Sequence, residues 1–121
     1  MELPAATGVD LPPADPAPTV PEDAGSVTVD RLDDHVLVVL VGEIDVEMKD
    51  ELFDALQEAA RHGVPVTVDC SAVLFIDSTG ISGLAWLANL AAEPPCLVAV
   101  PQVMYELLQL TGMEHVFRFA T

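Results

Sequence analysis

A chain of 121 residues and 12.8 kDa, 51% hydrophobic, has the material for one modest domain with one core and argues against a second folded unit. Four Lys+Arg against twenty Asp+Glu give a formal charge of -16, which excludes a grip on the phosphate backbone of DNA or RNA and disfavours anionic membrane surfaces. No apolar run of spanning length and no basic-then-apolar start occurs, so the sequence predicts a soluble, cytoplasmic protein.

Residues 1–25 carry Pro4, Pro12, Pro13, Pro16, Pro18 and Pro21 among Glu2, Asp10, Asp15, Glu22 and Asp23, with no basic residue. Proline removes donors and like charges repel, so this stretch reads as a disordered acidic, Pro-rich tail, and the folded domain is expected over 26–121. Val27 to Leu32 alternates as a half-exposed strand. Asp33-Asp34 supplies a turn, and Val36 to Val41 is apolar on both faces, as a central strand would be. The pair predicts an opening β-hairpin.

Gly42-Glu43-Ile44-Asp45 ends the second strand. Met48, Leu52, Ala55, Leu56 and Ala59 then fall on one face of a helix that stops near His62-Gly63. Val64 to Cys70 reads as a third strand, followed by Ser71-Ala72-Val73-Leu74 and the turn at Asp77-Ser78. A second helix is expected from Thr79 to about Ala92, with no ionisable side chain before Glu93. Its apolar surface exceeds one face, so it packs on two sides or meets a partner. After Pro94-Pro95, Cys96 to Val100 reads as a buried strand and Pro101 as the opening of a third helix. Val103, Met104, Leu107, Leu108 and Thr111 recur at helical spacing, and Val116 to Phe119 forms a short last strand. The order β-β-α-β-α-β-α-β predicts an α/β fold whose mixed, mostly parallel sheet carries an N-terminal antiparallel hairpin.

The stretch Phe75-Ile76-Asp77-Ser78-Thr79-Gly80 holds the candidate chemistry. A buried strand hands over to a helix there, and Asp77, Ser78 or Thr79 can cap the first free N–H groups, which alone would account for these residue types. Unbonded N–H groups and the positive end of the helix dipole would also favour an anion, including a phosphate carried on Ser78. Cys70 and Cys96 lie on predicted strands, where free thiols behave as small buried hydrophobes or, if neighbours across the sheet, as a disulfide or redox pair. His35, His62 and His115 are widely spaced, so no metal site or other cofactor is implied.

In this order, three stretches resemble the STAS domains of bacterial anti-sigma factor antagonists. Gly42-Glu43-Ile44-Asp45 is similar to the turn after that family's second strand, Phe75 to Gly80 to its phosphorylation segment, and Glu106 to Met113 to its closing helix and turn. The resemblance covers roughly residues 26 to 119 and implies a single STAS domain. It further implies that the unmodified protein binds an ATP-dependent anti-sigma factor serine kinase and so frees a sigma factor. By the same resemblance, phosphorylation of Ser78 is expected to switch binding off and a phosphatase to restore it, with Asp45, Asp77, Thr79 and Gly80 expected at the partner surface. The chain departs from many relatives in that its second helix lacks their basic residues and is followed by Ala91-Ala92-Glu93-Pro94-Pro95 where they carry glycines, and in that the sequence stops at Thr121, just after the last expected strand, where they continue into a further helix.

Three rival readings remain. A serine hydrolase wants a Gly-x-Ser-x-Gly elbow with a converging His, and no His is predicted beside Ser78. A receiver domain phosphorylated on Asp77 wants an acidic cluster for a metal and a late lysine, but Lys49 is the only lysine and belongs to the first helix. A scaffold of the same fold that binds its partner without phosphorylation is the strongest alternative.

Overall fold

The computed structural model describes residues 24–120, so nearly all of the expected tail over 1–25 lies outside the described residues. Five strands form one sheet in sequence order: β1 (Ser26–Arg31), β2 (Val36–Ile44), β3 (Val66–Ile76), β4 (Cys96–Val98) and β5 (Arg118–Ala120). β1 and β2 make the antiparallel hairpin, and every later neighbour is parallel. Helices α1 (Lys49–Arg61), α2 (Ser78–Leu90) and α3 (Gln102–Leu110) fill the crossovers between the parallel strands. This is the element order read from the sequence.

One face of the sheet is sealed and the other is half open. Val36, Val38, Leu40 and Ile44 of β2, with Val66, Val68 and Cys70 of β3, are buried beneath Leu52, Leu56, Leu84 and Leu87 of the helices. Full burial of such a side chain contributes about 1.5–3 kcal/mol, so this layer dominates the stability. The alternate residues of β2 do not enclose a second core: Leu37 and Val39 are half-buried and Val41 is 40% exposed. The strand is central and apolar on both faces, as read from the sequence, but only one of those faces is enclosed. With β1 and its flanking turn at one side, an all-apolar strand supplies one core and leaves an apolar stripe on the other face.

β3 also differs from the sequence reading, which ended it at Cys70. It runs on to Ile76, because two register shifts let it follow β2: Val39 pairs with Asp69 but Val41 with Ala72, and Gly42 pairs with Val73 but Glu43 with Phe75. Extra residues at such bulges break the alternation on which a strand is recognised. Leu74 and Phe75 are consequently exposed while Val73 and Ile76 stay buried. Gly42, at φ 80, occupies the opposing position at the second shift, where the left-handed backbone suits glycine.

Smaller corrections fall at element ends. α2 starts at Ser78 and stops at Leu90, and Pro101 is the residue before α3 rather than its first turn. β4 ends at Val98 because Ala99 adopts φ 56, which turns the chain out of the ladder. Val116 belongs to a 3-10 turn (Glu114–Val116), so β5 begins only at Arg118. Cys96 pairs with Thr67, on the half-open face, whereas Cys70 shares the sealed face with Val66 and Val68, and both thiols are free. Strand alternation thus points the two sulfurs to opposite sides, and the disulfide alternative is dropped.

Candidate functional site around Ser78

β2 and β3 end in step, with Ile44 paired to Ile76, and each is followed by an aspartate that caps what comes next. Asp45 Oδ1 accepts from the backbone N–H of Glu47 at 3.1 Å and caps the 3-10 turn Val46–Met48 that leads into α1. Asp77 Oδ1 accepts from the N–H groups of Thr79 at 2.8 Å and Gly80 at 3.3 Å and caps α2. The first turns of α1 and α2 therefore stand side by side at one edge of the sheet, where α/β folds characteristically place their ligands.

Of the three residues able to cap α2, the structure selects Asp77, and Ser78 is left free as the exposed first residue of the helix. This changes the electrostatic reading. Two of the N–H groups that could have welcomed a phosphate already bond to a carboxylate, so an anion on Ser78 meets a negative charge where free donors were expected. Thr79 is half-buried. Gly80 is buried because nothing larger fits: a Cβ there would lie 2.4 Å from Ile76 Cγ1 and 3.0 Å from Ile44 Cγ2.

Two grooves flank Ser78. One, of about 370 Å³ between α1 and α2, is lined by Val46, Lys49, Phe53, Ser78, Thr79 and Ser82. The other, of about 200 Å³ between α2 and the α3 end, is lined by Ser78, Ser82 and five further residues that include Ile81, Leu107 and Met113. Ser82, one helical turn beyond Ser78, is exposed and borders both. Asp45 lines neither groove. It faces a separate hollow of about 220 Å³ with Glu43, Glu47, Glu51 and Met48. Asp77, Ser78 and Thr79 thus form one local constellation, and Asp45 joins it through its backbone position.

Lys49, Phe53 and Ser82 were not singled out as site residues from the sequence. Lys49 belongs to the first helix by sequence, and its place in the same groove as Ser78 follows only from the parallel pairing of β2 and β3. The site-facing side of α2 is joined to α1 by Gly83, whose missing side chain lets Leu52 approach within 3.0 Å of where a Cβ would stand. Phe53 and Trp86 meet beside it, ring centroids 5.1 Å apart. Most of the expected double-sided packing of α2 is therefore internal, and Ser82, Asn89 and Leu90 remain exposed.

An antiparallel hairpin leading into parallel crossovers, with a free hydroxyl beside the cap at the mouth of the second helix, defines an α/β domain of STAS type. Residues 27–118 match the family described as "Mlab, STAS domain", and the chain belongs to that STAS family. Among solved structures, it is similar to an anti-sigma factor antagonist from Mycobacterium paratuberculosis, with 26% identity and a TM-score of 0.72 over 81% of this chain and 86% of that one. It is also similar in fold to the anti-sigma factor antagonist SpoIIAA in its unphosphorylated form, at 17% identity and a TM-score of 0.67, covering 79% of this chain and 89% of that one. The phosphorylated form of the Bacillus cell fate determinant SpoIIAA matches at 18% identity and a TM-score of 0.63, over 79% and 92%. No match was found among curated proteins. Among the described residues no helix is long and apolar enough to cross a membrane, and no cluster of His, Cys, Asp and Glu is placed to hold a metal ion.

Proposed function

We propose that this protein is an anti-sigma factor antagonist whose unmodified form binds an ATP-dependent anti-sigma factor serine kinase in the cytoplasm and releases its sigma factor. Phosphorylation of Ser78 ends that binding, and a phosphatase restores it. The observation that carries the reading is the exposed hydroxyl of Ser78 at the start of α2, with the cap beside it already filled by Asp77. Likeness to the Mycobacterium paratuberculosis antagonist supports the general role. In this reading residues 26–121 form the STAS unit, 1–25 an acidic extension, and the protein is the kinase's substrate rather than an enzyme.

The switch needs only local charge. A phosphate adds about -1.5 to -2 charges at neutral pH. Two unit charges about 6 Å apart at an effective dielectric near 20 repel by roughly 3 kcal/mol, about a hundredfold in affinity if a partner must fit over the same surface. Asp77 and Asp45 already make this edge of the sheet negative, so the phosphate adds to a charge that a partner must tolerate, and Thr79 and Gly80 hold the turn that presents the hydroxyl.

Incubation with a cognate anti-sigma kinase and ATP, followed by mass spectrometry, should place one phosphate on Ser78 and none on Ser78→Ala. Label elsewhere, or unchanged labelling of Ser78→Ala, rejects the assignment. A pull-down of the kinase should retain wild type and Ser78→Ala and lose Ser78→Asp. Equal retention of all three would instead identify a scaffold that works without phosphorylation.

A further inference from the structure

Ser78 stands between two grooves of opposite character, and the chain places a rare cation in one of them. Only four Lys and Arg residues occur in the chain, and Lys49 is the single lysine. Arg118 is paired with Glu93 at 2.9 Å, and the Arg31 guanidinium donates to the Leu32 carbonyl, whereas Lys49 makes no ion pair among the described residues. It lines the α1/α2 groove together with the hydroxyl-bearing Ser78, Thr79 and Ser82. The groove on the α3 side offers aliphatic carbon and methionine around the same two serines, together with Thr111, whose hydroxyl already donates to the Leu107 and Leu108 carbonyls.

We propose that Lys49 is the internal counter-cation of phosphorylated Ser78, drawing the phosphate into the α1/α2 groove with Ser82 and Thr79 as hydroxyl donors. The inference rests on Ser78 being the phosphorylated residue. A dianion pays a large desolvation cost in the apolar α2/α3 groove and finds compensation only on the Lys49 side. The α1/α2 groove, of about 370 Å³ and open to solvent, offers room for a phosphate beside Lys49. Of the neighbouring carboxylates, Asp45 faces the separate hollow beside Glu47 and Glu51, and Asp77 already accepts two backbone N–H groups in its cap. Modification therefore does two things: it adds charge at the docking surface and fills the groove between α1 and α2, leaving the α2/α3 groove open.

The test installs phosphoserine at position 78 of the full chain by genetic code expansion and follows its 31P resonance by NMR as pH is varied. An ammonium facing the phosphate favours the dianion, so the phosphate should bind its last proton about threefold more weakly in the Lys49-containing protein than in Lys49→Gln. Lys49→Arg should restore the original titration, and Arg61→Gln, at the far end of α1, should leave it unchanged. Identical titrations with Lys49 and with Gln overturn the inference. Equal shifts in Lys49→Gln and Arg61→Gln overturn it as well, because net charge alone would then explain them. Failure of the kinase to label Ser78 would sink the proposed function and leave this titration readable. Equal titrations would sink the Lys49 contact and leave the labelling result standing.

Discussion

The backbone N–H of Asp77 donates to the carbonyl of Ile44 at 3.2 Å, joining the ends of β2 and β3 one residue before each chain turns into a helix. That bond sets two aspartate caps side by side and makes Asp77 both the last tie of the sheet and the first residue of the site. Replacing an Asp cap by alanine typically costs about 1 kcal/mol, while asparagine caps about as well. Asp77→Ala should lower unfolding stability in urea by about 1 kcal/mol, and Asp77→Asn should stay close to wild type. Because Asp77→Asn keeps the cap and removes the charge, it should also weaken the effect of Ser78→Asp on partner binding.

Glycine at 80 and at 83 should respond differently to the same change. A methyl at Gly80 collides with the buried Cγ1 of Ile76 at 2.4 Å, wedged where β3 enters α2. Overpacking of this kind costs about 1–3 kcal/mol, and the gain in helix propensity of up to ~1 kcal/mol does not cover it. At Gly83 the nearest atom is Cδ2 of Leu52 at 3.0 Å, the end of a side chain that has to give by only a few tenths of an ångström, so the two effects nearly cancel. Thermal denaturation should show Gly80→Ala clearly destabilised and Gly83→Ala within about 0.5 kcal/mol of wild type.

The two cysteines should be distinguishable by alkylation. Burial, with a smaller contribution from Asp69 nearby, pushes the Cys70 thiol up to about 12, while Cys96 is half-buried on the opposite face of the sheet. Only thiolate reacts, so iodoacetamide at pH 8 should modify Cys96 and spare Cys70 in the folded protein, as read by peptide mass spectrometry.

The same shift makes stability fall at high pH. A thiol whose folded value lies above its ordinary 9.0 keeps its proton in the native state after the unfolded chain has lost it. Its stabilising contribution is complete below pH 9 and is lost as pH rises towards 12. Urea midpoints measured from pH 8 to 11 should decline, and Cys70→Val should flatten that part of the curve, since valine keeps the packing and cannot ionise.

Trp86 should report on the α1/α2 groove. Its ring lies against Phe53, which lines the groove beside Lys49 and Ser78. Aromatic pairs contribute about 0.5–1.5 kcal/mol beyond their buried area. Phe53→Leu should cost about that much and shift the fluorescence of the single tryptophan to the red.

Local signals in the sequence determined the element order, the hairpin, the three helices and the turn at Asp77-Ser78, because caps, prolines and hydrophobic periodicity act within a few residues. They also supported the STAS resemblance. Tertiary structure alone decided that Asp77 is the cap and Ser78 the free hydroxyl, since three neighbouring residues could each have capped α2. It alone carried β3 past Cys70, because bulges imposed by pairing with β2 erase the alternation that marks a strand. And it alone brought Lys49 to Ser78: residues 29 apart in sequence share a groove only because two parallel strands end in register, a relation fixed by interstrand hydrogen bonds and not by either segment.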